Sequence, residues 1–446
     1  MMNDARLLAH QILIQYDSKT KLDKVIEKVF TKYNPDYLAR SRCRVIVYDV
    51  IRLLGRIDFI IKIVSGKNYK QIPVPIQSIL RIGFYEILID GHTPDYAAVN
   101  SAVNLTKSIS NKKSAGFINA VLRKLVRKKN NRLDWLDSLS NHSEWNSMPD
   151  WIQSRWKKNL GSEGFIKMIK SVNDNPPNFI RIQQKESNLE QIIKELSNDG
   201  INTEIFSESF LIVKGGTGKV LQTQMFKNGE ISIQNPASAA VVDCLNVSKG
   251  DFVIDVCAAP GTKSLYLSSL VGQSGKVLAS DVIRERVEMG KRDVDRHGKL
   301  NIKWEVKDAT KDNYPMADYM LIDAPCTGTG VLARKPDIKW RRKKSDILEM
   351  SKKQFDILSH CSKFVNTKPF FLNYKTDIKT ILYHLQNKKN KNKFKCIPLV
   401  DEKKIIKDIS TIENLRKYPI ANLNLGNEEF SKAFDAIKSG WISSKG

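Results

Sequence analysis

Apolar residues recur at helical spacing throughout residues 1–130. The clearest stretches begin near Leu7, Val45, Ala98 and Phe117, where apolar side chains return every three or four residues. Short breaks containing proline or glycine separate these stretches: Asn34-Pro35, Pro73, Pro75, Gly91 and Pro94. The pattern predicts an all-α N-terminal bundle whose helices are joined by short loops.

Residues 145–229 combine helical and strand periodicity. Residues 151–160 and 189–196 have helical patterns, whereas the apolar runs 179–182 and 210–213 indicate strands. We therefore predict a small α+β middle domain. The polar stretch 131–145 before it is interpreted as a linker.

From residue 230 onward, strands and helices alternate. Apolar runs at 252–256, 277–281, 302–306 and 319–323 predict four strands with helical segments between them. Such alternation is typical of a doubly wound parallel sheet, which binds ligands at the carboxyl ends of its strands. The chain is therefore predicted to be multidomain, with an α/β domain at 230–365.

The charge of the chain indicates what kind of molecule it binds. The chain of 446 residues carries 73 Lys and Arg against 48 Asp and Glu, a net charge of +25. Residues 1–132 hold 24 of the basic and only 10 of the acidic side chains. Such an excess favours binding to nucleic acid, although a lysine-rich composition alone would also produce it. A second basic cluster, expected to grip the same polyanion, comprises Lys335, Lys339, Arg341, Arg342, Lys343 and Lys344.

The six cysteines are scattered and form no C-x-x-C pair. Neither a zinc site nor a disulfide framework is indicated, and we predict no bound metal. No stretch reaches the ~18 consecutive apolar residues of a membrane span, and the first residues lack the apolar core of a signal peptide. We expect a cytoplasmic protein with no membrane partner, and a monomer.

Residues able to bind a ligand follow each predicted strand of the α/β domain. After the first strand comes C-A-A-P-G-T-K, whose small residues let the backbone approach a ligand and whose last residues open a helix. Asp281 ends the second strand, where it can accept from ribose hydroxyls, and Asp308 follows the third, where it can accept from an adenine amine. The fourth strand ends in the D-A-P-C loop, Asp323 to Cys326. Four such strand ends in succession predict a binding site.

These motifs, with R-K-P-D-I-K-W at 334–340, resemble the NOL1/NOP2/Sun family of RNA 5-cytosine methyltransferases. The resemblance implies a Rossmann-like methyltransferase core that forms 5-methylcytosine in small-subunit ribosomal RNA. It also implies Asp323 and Cys326 as catalytic residues, Asp323 near the target base and Cys326 assisting product release. S-adenosylmethionine would be bound by Cys257, Ala258, Ala259, Pro260, Gly261, Thr262, Lys263, Asp281, Asp308 and Asp323. Thr262 stands where the family has a second glycine, which a negative φ would tolerate.

The N-terminal bundle resembles the NusB-like RNA-binding domain. The matching stretches are A-R-L-L-A-H-Q-I-L, R-I-G-F-Y-E-I-L, A-V-N-S-A-V-N-L and G-F-I-N-A-V-L-R-K. The resemblance implies that residues 1–130 bind ribosomal RNA, and we expect residues 145–229 to contact RNA as well.

One element of the family pattern is missing. Its members carry a T-C motif about fifty residues after D-A-P-C, whose cysteine attacks C6 of the cytosine. This chain has Thr376 near that place, and a hydroxyl is a poor substitute for a thiol because its pKa is far higher. Cys361 is interpreted as a packing residue, and Cys396 comes too late in the chain. A catalytically inactive RNA-binding protein of the same family therefore stays open as the alternative.

The tail departs further from the family. Residues 366–446 form a divergent segment, within which 418–446 resemble the opening of the DegT-type aminotransferases. No aminotransferase activity is expected, because no Schiff-base lysine follows. We interpret the tail as either native or the product of a frame change or fusion.

Overall fold

The computed structural model describes residues 4–131, 134–183, 189–243, 245–298, 301–365, 370–372, 382–384 and 395–397. It divides into two compact units. The first, called the helical unit, comprises residues 1–175 together with 331–342, and the second, called the sheet unit, comprises 176–330 and 343–446. None of the helices in these described ranges is both long and apolar enough to cross a membrane.

The helical unit contains the predicted bundle. Its helices are α1 (Ala5–Gln15), α2 (Leu22–Tyr33), α3 (Tyr37–Arg52), α4 (Leu54–Ser65), α5 (Val74–Leu88), α6 (Asp95–Ile109), α7 (Lys112–Asn131), α8 (Trp135–Leu139) and α9 (Asp150–Asn173), with short 3-10 turns at Tyr69–Gln71 and Ser143–Asn146. One continuous apolar core joins α1 to α8. Local chemistry marks the ends: α2 stops where Asn34 adopts a left-handed conformation, and the Asp36 carboxylate caps α3 by accepting from the Ala39 amide at 2.7 Å.

The predicted linker at 131–145 is wrong over α8. Trp135 and Leu139 lie one helical turn apart, and both are buried in the core of the bundle. Burying two large apolar side chains on one face outweighs the polar residues around them. α9 is also longer than the pattern predicts, because the helix resumes after a kink at Gly161.

The sheet unit begins with a four-stranded antiparallel sheet in the order β2-β3-β1-β4. Its elements are β1 (Asn178–Ile182), α10 (Leu189–Asn198), β2 (Asn202–Ser207), β3 (Phe210–Gly215), α11 (Thr217–Val220), α12 (Gln224–Lys227) and β4 (Ile231–Ile233). Apolar residues of α10, among them Ile192 and Leu196, pack against it. The small α+β fold is confirmed, and β4, which pairs with β1, lies past residue 229, where we expect the middle domain to end.

A parallel sheet in the order β7-β6-β5-β8 follows. Its elements are α13 (Pro236–Asp243), β5 (Phe252–Asp255), α14 (Thr262–Val271), β6 (Lys276–Asp281), α15 (Arg284–Arg296), β7 (Ile302–Val306), β8 (Tyr319–Leu321) and α17 (Asp346–Cys361), while α16 (Asp337–Arg341) belongs to the helical unit. Further 3-10 turns lie at Thr329–Val331 and Ser362–Phe364, and β9 (Phe370–Leu372), β10 (Leu382–His384) and β11 (Lys395–Ile397) form a small antiparallel sheet.

The strand order of the parallel sheet decides where a ligand can bind. From β5 the chain proceeds to β6 and β7 on one side, and it then crosses to β8 on the other side of β5. The helices that follow β5 and β8 therefore leave the sheet in opposite directions and open a crevice at the carboxyl end of β5. The predicted α/β architecture is confirmed, and the candidate residues follow these carboxyl ends.

Candidate active site

The loop between β5 and α14 runs close to the neighbouring strand. The Ala258 amide donates to the Ser280 carbonyl oxygen at 2.8 Å, and the Arg286 guanidinium donates to the Ala259 carbonyl oxygen. The first amides of α14 have no partner within the helix and lie at the carboxyl edge of the sheet. Because Thr262 is the first residue of α14, its backbone is helical, and its φ is negative as the replacement of glycine requires.

Gly261 allows the sharp entry into α14. Its φ is +112°, and a Cβ at this position would lie 2.8 Å from Cζ2 of Trp304. We expect Gly261→Ala to lower the free energy of unfolding by about 2–4 kcal/mol, since left-handed strain adds to a steric overlap. Urea denaturation measures this change. Gly298→Ala is the matched control, because Gly298 also has a positive φ but a Cβ there meets nothing within 4 Å. Equal losses of unfolding free energy in the two variants would contradict a steric overlap with Trp304.

Three acidic side chains and one lysine gather at the edge of β5, β6 and β8. The Lys263 ammonium lies 2.7 Å from Oδ2 of Asp323. Burial lowers the pKa of Lys263, but attraction to Asp323 and Asp255 outweighs it, so the pKa is raised and the ammonium stays charged. The Lys263–Asp323 pair therefore links the loop after β5 to the start of the D-A-P-C loop.

Asp255 is a site residue that the sequence analysis did not single out. It ends β5 with no exposed surface, and burial raises its pKa to about 7. Its Oδ2 accepts from the Ser264 hydroxyl at 2.8 Å, whereas its Oδ1 is buried without a hydrogen-bond partner. A buried unpaired carboxylate oxygen is costly, so its retention is a mark of a binding site. The signal in the sequence is an acid at the end of an otherwise apolar strand.

Asp281 lies at the end of β6 and is almost fully buried. Its Oδ1 accepts from the Ile283 amide at 3.1 Å, and its Oδ2 is 3.0 Å from the Arg286 guanidinium. Each carboxylate oxygen has two lone pairs, so both can still accept a further donor. Arg286 is a second residue that sequence reasoning missed, and it holds Asp281 and the Ala259 carbonyl together.

Asp308 lies just after β7, the strand that pairs with β6. Its Oδ1 accepts from the Thr310 amide at 3.0 Å and from the Thr310 hydroxyl at 2.7 Å. These two hydrogen bonds lower its pKa, so the side chain is an ionised acceptor at the end of β7. Asp255, Asp281 and Asp323 act together on the pKa of Cys257, but Asp308 is not among the groups that perturb it most.

The D-A-P-C loop is held at its first and third residues, Asp323 and Pro325. Asp323 is paired with Lys263, and the Gln354 side chain of α17 donates to the Pro325 carbonyl oxygen at 2.8 Å. Thr327 and Thr329 are buried behind the loop, while Cys326 is half-buried. The loop thus presents Cys326 from a fixed backbone.

Two other cysteines near the site are unsuited to nucleophilic attack. Burial, and then the negative charges of Asp255, Asp281 and Asp323, raise the pKa of Cys257 well above its ordinary value. Burial raises the pKa of Cys361 to about 12, and its thiol donates to the Ala309 carbonyl oxygen at 3.3 Å. Both thiols therefore stay protonated at neutral pH. Cys361 is fully buried, which confirms it as a packing residue.

The second basic cluster is only partly exposed. Lys339 is fully buried, and Arg341, which is 15% exposed, is paired with Asp337 at 2.8 Å. The expectation that this cluster grips RNA is wrong for these two side chains, because their charges point to partners within the protein. Lys335 is exposed and forms a surface ion pair with Asp23 at 2.5 Å. Lys343 and Lys344 are exposed. Thr376 and the aminotransferase-like stretch 418–446 lie outside the described residues.

Three family models match successive parts of the chain. Residues 3–127 match the NusB family, residues 148–215 match the ferredoxin-like domain of RsmF/B-like methyltransferases, and residues 242–420 match the 16S rRNA methyltransferase RsmB/F. The three matches follow one another in the order of the helical bundle, the antiparallel sheet and the parallel sheet.

Individual proteins resemble the chain over most of its length. It is 29% identical over 366 residues to the probable ribosomal RNA small subunit methyltransferase B of Bacillus subtilis (strain 168), which covers 81% of this chain and 82% of that protein. It is 28% identical to the ribosomal RNA small subunit methyltransferase B of Pasteurella multocida (strain Pm70), covering 79% of both. The crystal structure of PH0851 matches with a TM-score of 0.64 and 26% identity, covering 84% of this chain and 85% of that one.

Proposed function

Because the chain belongs to the RsmB/F family of 16S rRNA methyltransferases, we propose that it methylates carbon 5 of a cytosine in small-subunit ribosomal RNA, with S-adenosylmethionine as methyl donor. The observation that carries the proposal is the D-A-P-C loop at the carboxyl end of β8, tied to the loop after β5 by the Lys263–Asp323 pair. The rival from another class is a catalytically inactive RNA-binding protein, since Thr376 stands where the family has its attacking cysteine.

The acidic cluster fits S-adenosylmethionine. The cofactor presents hydrogen-bond donors at its amino group, its ribose hydroxyls and its adenine amine, and the site presents carboxylate acceptors. We assign the unpaired Oδ1 of Asp255 to the amino group, Asp281 to the ribose and Asp308 to the adenine. Residues 257–263 supply a backbone that can approach the cofactor closely, because three of them are alanine or glycine. When bound, the cofactor supplies an electrophilic methyl group on a sulfonium.

In this proposal the D-A-P-C loop acts on the target cytosine. Carbon 5 of cytosine is a weak nucleophile, so a thiolate must first add to C6 and move electron density onto C5. After methylation, a base removes the C5 proton and the enzyme thiol is expelled. Asp323, held by Lys263, lies beside the target base in this proposal, and Cys326 assists the release of the product.

Methyl incorporation into unmodified RNA tests the proposal. Purified full-length protein is incubated with methyl-labelled S-adenosylmethionine and either a small-subunit ribosomal RNA transcript or small-subunit particles that lack the modification. We expect label in 5-methylcytidine, identified by nucleoside mass spectrometry, and none in a large-subunit RNA control. The choice between transcript and particle also shows which form is the substrate. Binding of RNA and cofactor without incorporation would instead establish the inactive RNA-binding protein, and label on another atom would contradict the proposed chemistry.

A further inference from the structure

The segment that follows the D-A-P-C loop belongs to the helical unit. Residues 331–342 pack with residues 1–175, although the chain before and after them belongs to the sheet unit. Only the four residues 327–330 separate Cys326 from this segment, which we call the anchor segment. The catalytic loop is therefore continuous with a piece of the RNA-binding bundle.

Backbone and side-chain contacts fasten the anchor segment along its length. The Arg52 guanidinium donates to the Ala333 carbonyl oxygen at 3.0 Å. The buried Asp337 carboxylate accepts from the Leu22 amide at 3.2 Å, and the Trp340 indole donates to the Ile51 carbonyl oxygen at 2.8 Å. These contacts reach the start of α2 and the end of α3, so the segment is built into the bundle.

Lys339 is the most constrained residue of the anchor segment. Its side chain is fully buried, and its Nζ donates to the Arg52 carbonyl oxygen at 2.5 Å and to Oδ1 of Asn173 at 3.0 Å. No carboxylate among the described residues pairs with it, and burial lowers its pKa well below the ordinary value. A leucine or methionine would fill such a space at lower cost, because a buried amine must be desolvated. A lysine differs from these residues because it donates two directional hydrogen bonds. These bonds fix the position of the segment relative to α3 and α9.

We propose that Lys339 is a positioning residue for methyl transfer, which holds the D-A-P-C loop in register by fixing the anchor segment to the helical unit. This inference rests on the function proposed above and adds the device that ties the RNA-binding bundle to the catalytic loop. The other end of the loop is already fixed by the Lys263–Asp323 pair and by Gln354. A displacement of the loop by about 1 Å would be enough to lower the rate of methyl transfer as much as 100-fold.

Lys339→Met tests the proposal in the full-length protein, because methionine keeps the length and the apolar stem but cannot donate to either oxygen. The matched control is Lys276→Met, the same change at an exposed lysine that begins β6 and belongs to no proposed binding surface. We expect Lys339→Met to lower kcat about tenfold or more, with KM for RNA and the Kd of S-adenosylmethionine within about threefold of wild type. Asn173→Ala removes one of the two acceptors of Lys339, together with the hydrogen bond that the Asn173 amide donates to the Asn146 carbonyl oxygen at 2.8 Å, and it should lower kcat in the same direction.

Hydrogen–deuterium exchange gives a readout that does not depend on activity. We expect faster exchange in peptides covering 323–330 of Lys339→Met, with unchanged exchange in α4 and α5 and no change in Lys276→Met. Unchanged exchange at 323–330 together with unchanged kcat would overturn the proposal, and so would a loss of thermal stability in the bundle with no effect on the loop. If the wild-type protein incorporates no methyl group, the proposed function fails, whereas the exchange result still decides whether Lys339 holds the loop.

Discussion

Cys326→Ala is expected to lower multiple-turnover methylation of small-subunit RNA at least about 1000-fold, since in the proposed mechanism turnover stops at the covalent complex when Cys326 cannot assist release of the product. The loop that carries Cys326 is fixed by two contacts that do not involve the Cys326 side chain, namely Gln354 to the Pro325 carbonyl oxygen and the Lys263–Asp323 pair, so the substitution leaves them in place. The Kd of S-adenosylmethionine should therefore stay within about threefold of wild type. Initial rates with labelled cofactor and isothermal titration calorimetry measure the two quantities.

A denaturing gel of the same reactions separates two roles of Cys326. A stable protein–RNA adduct in Cys326→Ala would show that another residue attacks C6 and that Cys326 releases the product. Loss of methylation without an adduct would place Cys326 before the covalent step. Cys361→Ala is the control: Cys361 is a buried packing residue, so this variant should lose some stability but keep its turnover within about threefold. Full turnover in Cys326→Ala would contradict the proposed chemistry.

Asp255→Asn is expected to stabilise the protein relative to wild type at higher pH and, at the same time, to weaken its binding of S-adenosylmethionine. Burial raises the pKa of Asp255 from its ordinary value of 3.8 to about 7. Below about pH 4 the carboxyl is neutral in both the folded and the unfolded protein, so it carries no charge penalty. As the pH rises, the unfolded chain ionises first, and the favourable contribution of the neutral folded form is lost by about pH 7. The free energy of unfolding of the wild type should therefore fall by a few kcal/mol relative to that of Asp255→Asn between pH 4 and pH 8.

Urea denaturation of both proteins at pH 5 and pH 8 measures this difference, and the other titrating groups cancel between them. The asparagine keeps an acceptor for the Ser264 hydroxyl, but its amide cannot accept from the cofactor in place of Oδ1. We therefore also expect the affinity for S-adenosylmethionine to fall about tenfold or more. Asp199→Asn, the same change at an exposed acid of the sheet unit, should alter neither quantity. Parallel pH profiles of Asp255→Asn and wild type would refute the assigned charge state.

The local sequence pattern predicted most of the fold. The strands β5, β6 and β7 and the helices of the bundle were expected because strand ends, breaks and apolar periodicity are short-range signals. β2 was missed because five of its six residues are exposed and polar residues surround its two adjacent apolar ones. α8 was missed because its two buried residues lie in a stretch that is otherwise polar. In both cases packing against other elements decides the structure, and a window of a few residues does not contain that information.

The sequence likewise predicted some features of the candidate site, and others became visible only in the structure. The sequence by itself determined the ligand-binding loop, the acids after successive strands and the D-A-P-C motif, because all of them follow from the position of a residue at the end of a strand. Only the tertiary structure showed that Asp255 has an unpaired oxygen, that Arg286 holds Asp281, and that Asp308 accepts two hydrogen bonds from Thr310. Hydrogen-bond partners and burial are set by residues that are distant in the chain.

The basic cluster after the D-A-P-C loop shows most clearly what a charge pattern in the sequence does not predict. As a run of charges, Lys335 to Lys344 predicts a solvated surface that meets RNA. The fold instead buries Lys339 against the Arg52 carbonyl oxygen and Asn173 and pairs Lys335 with Asp23, partners that lie more than 150 residues away in the chain. A charge pattern states which groups are present, but only the packing of the bundle decided which of them face solvent and which hold the loop that carries Cys326.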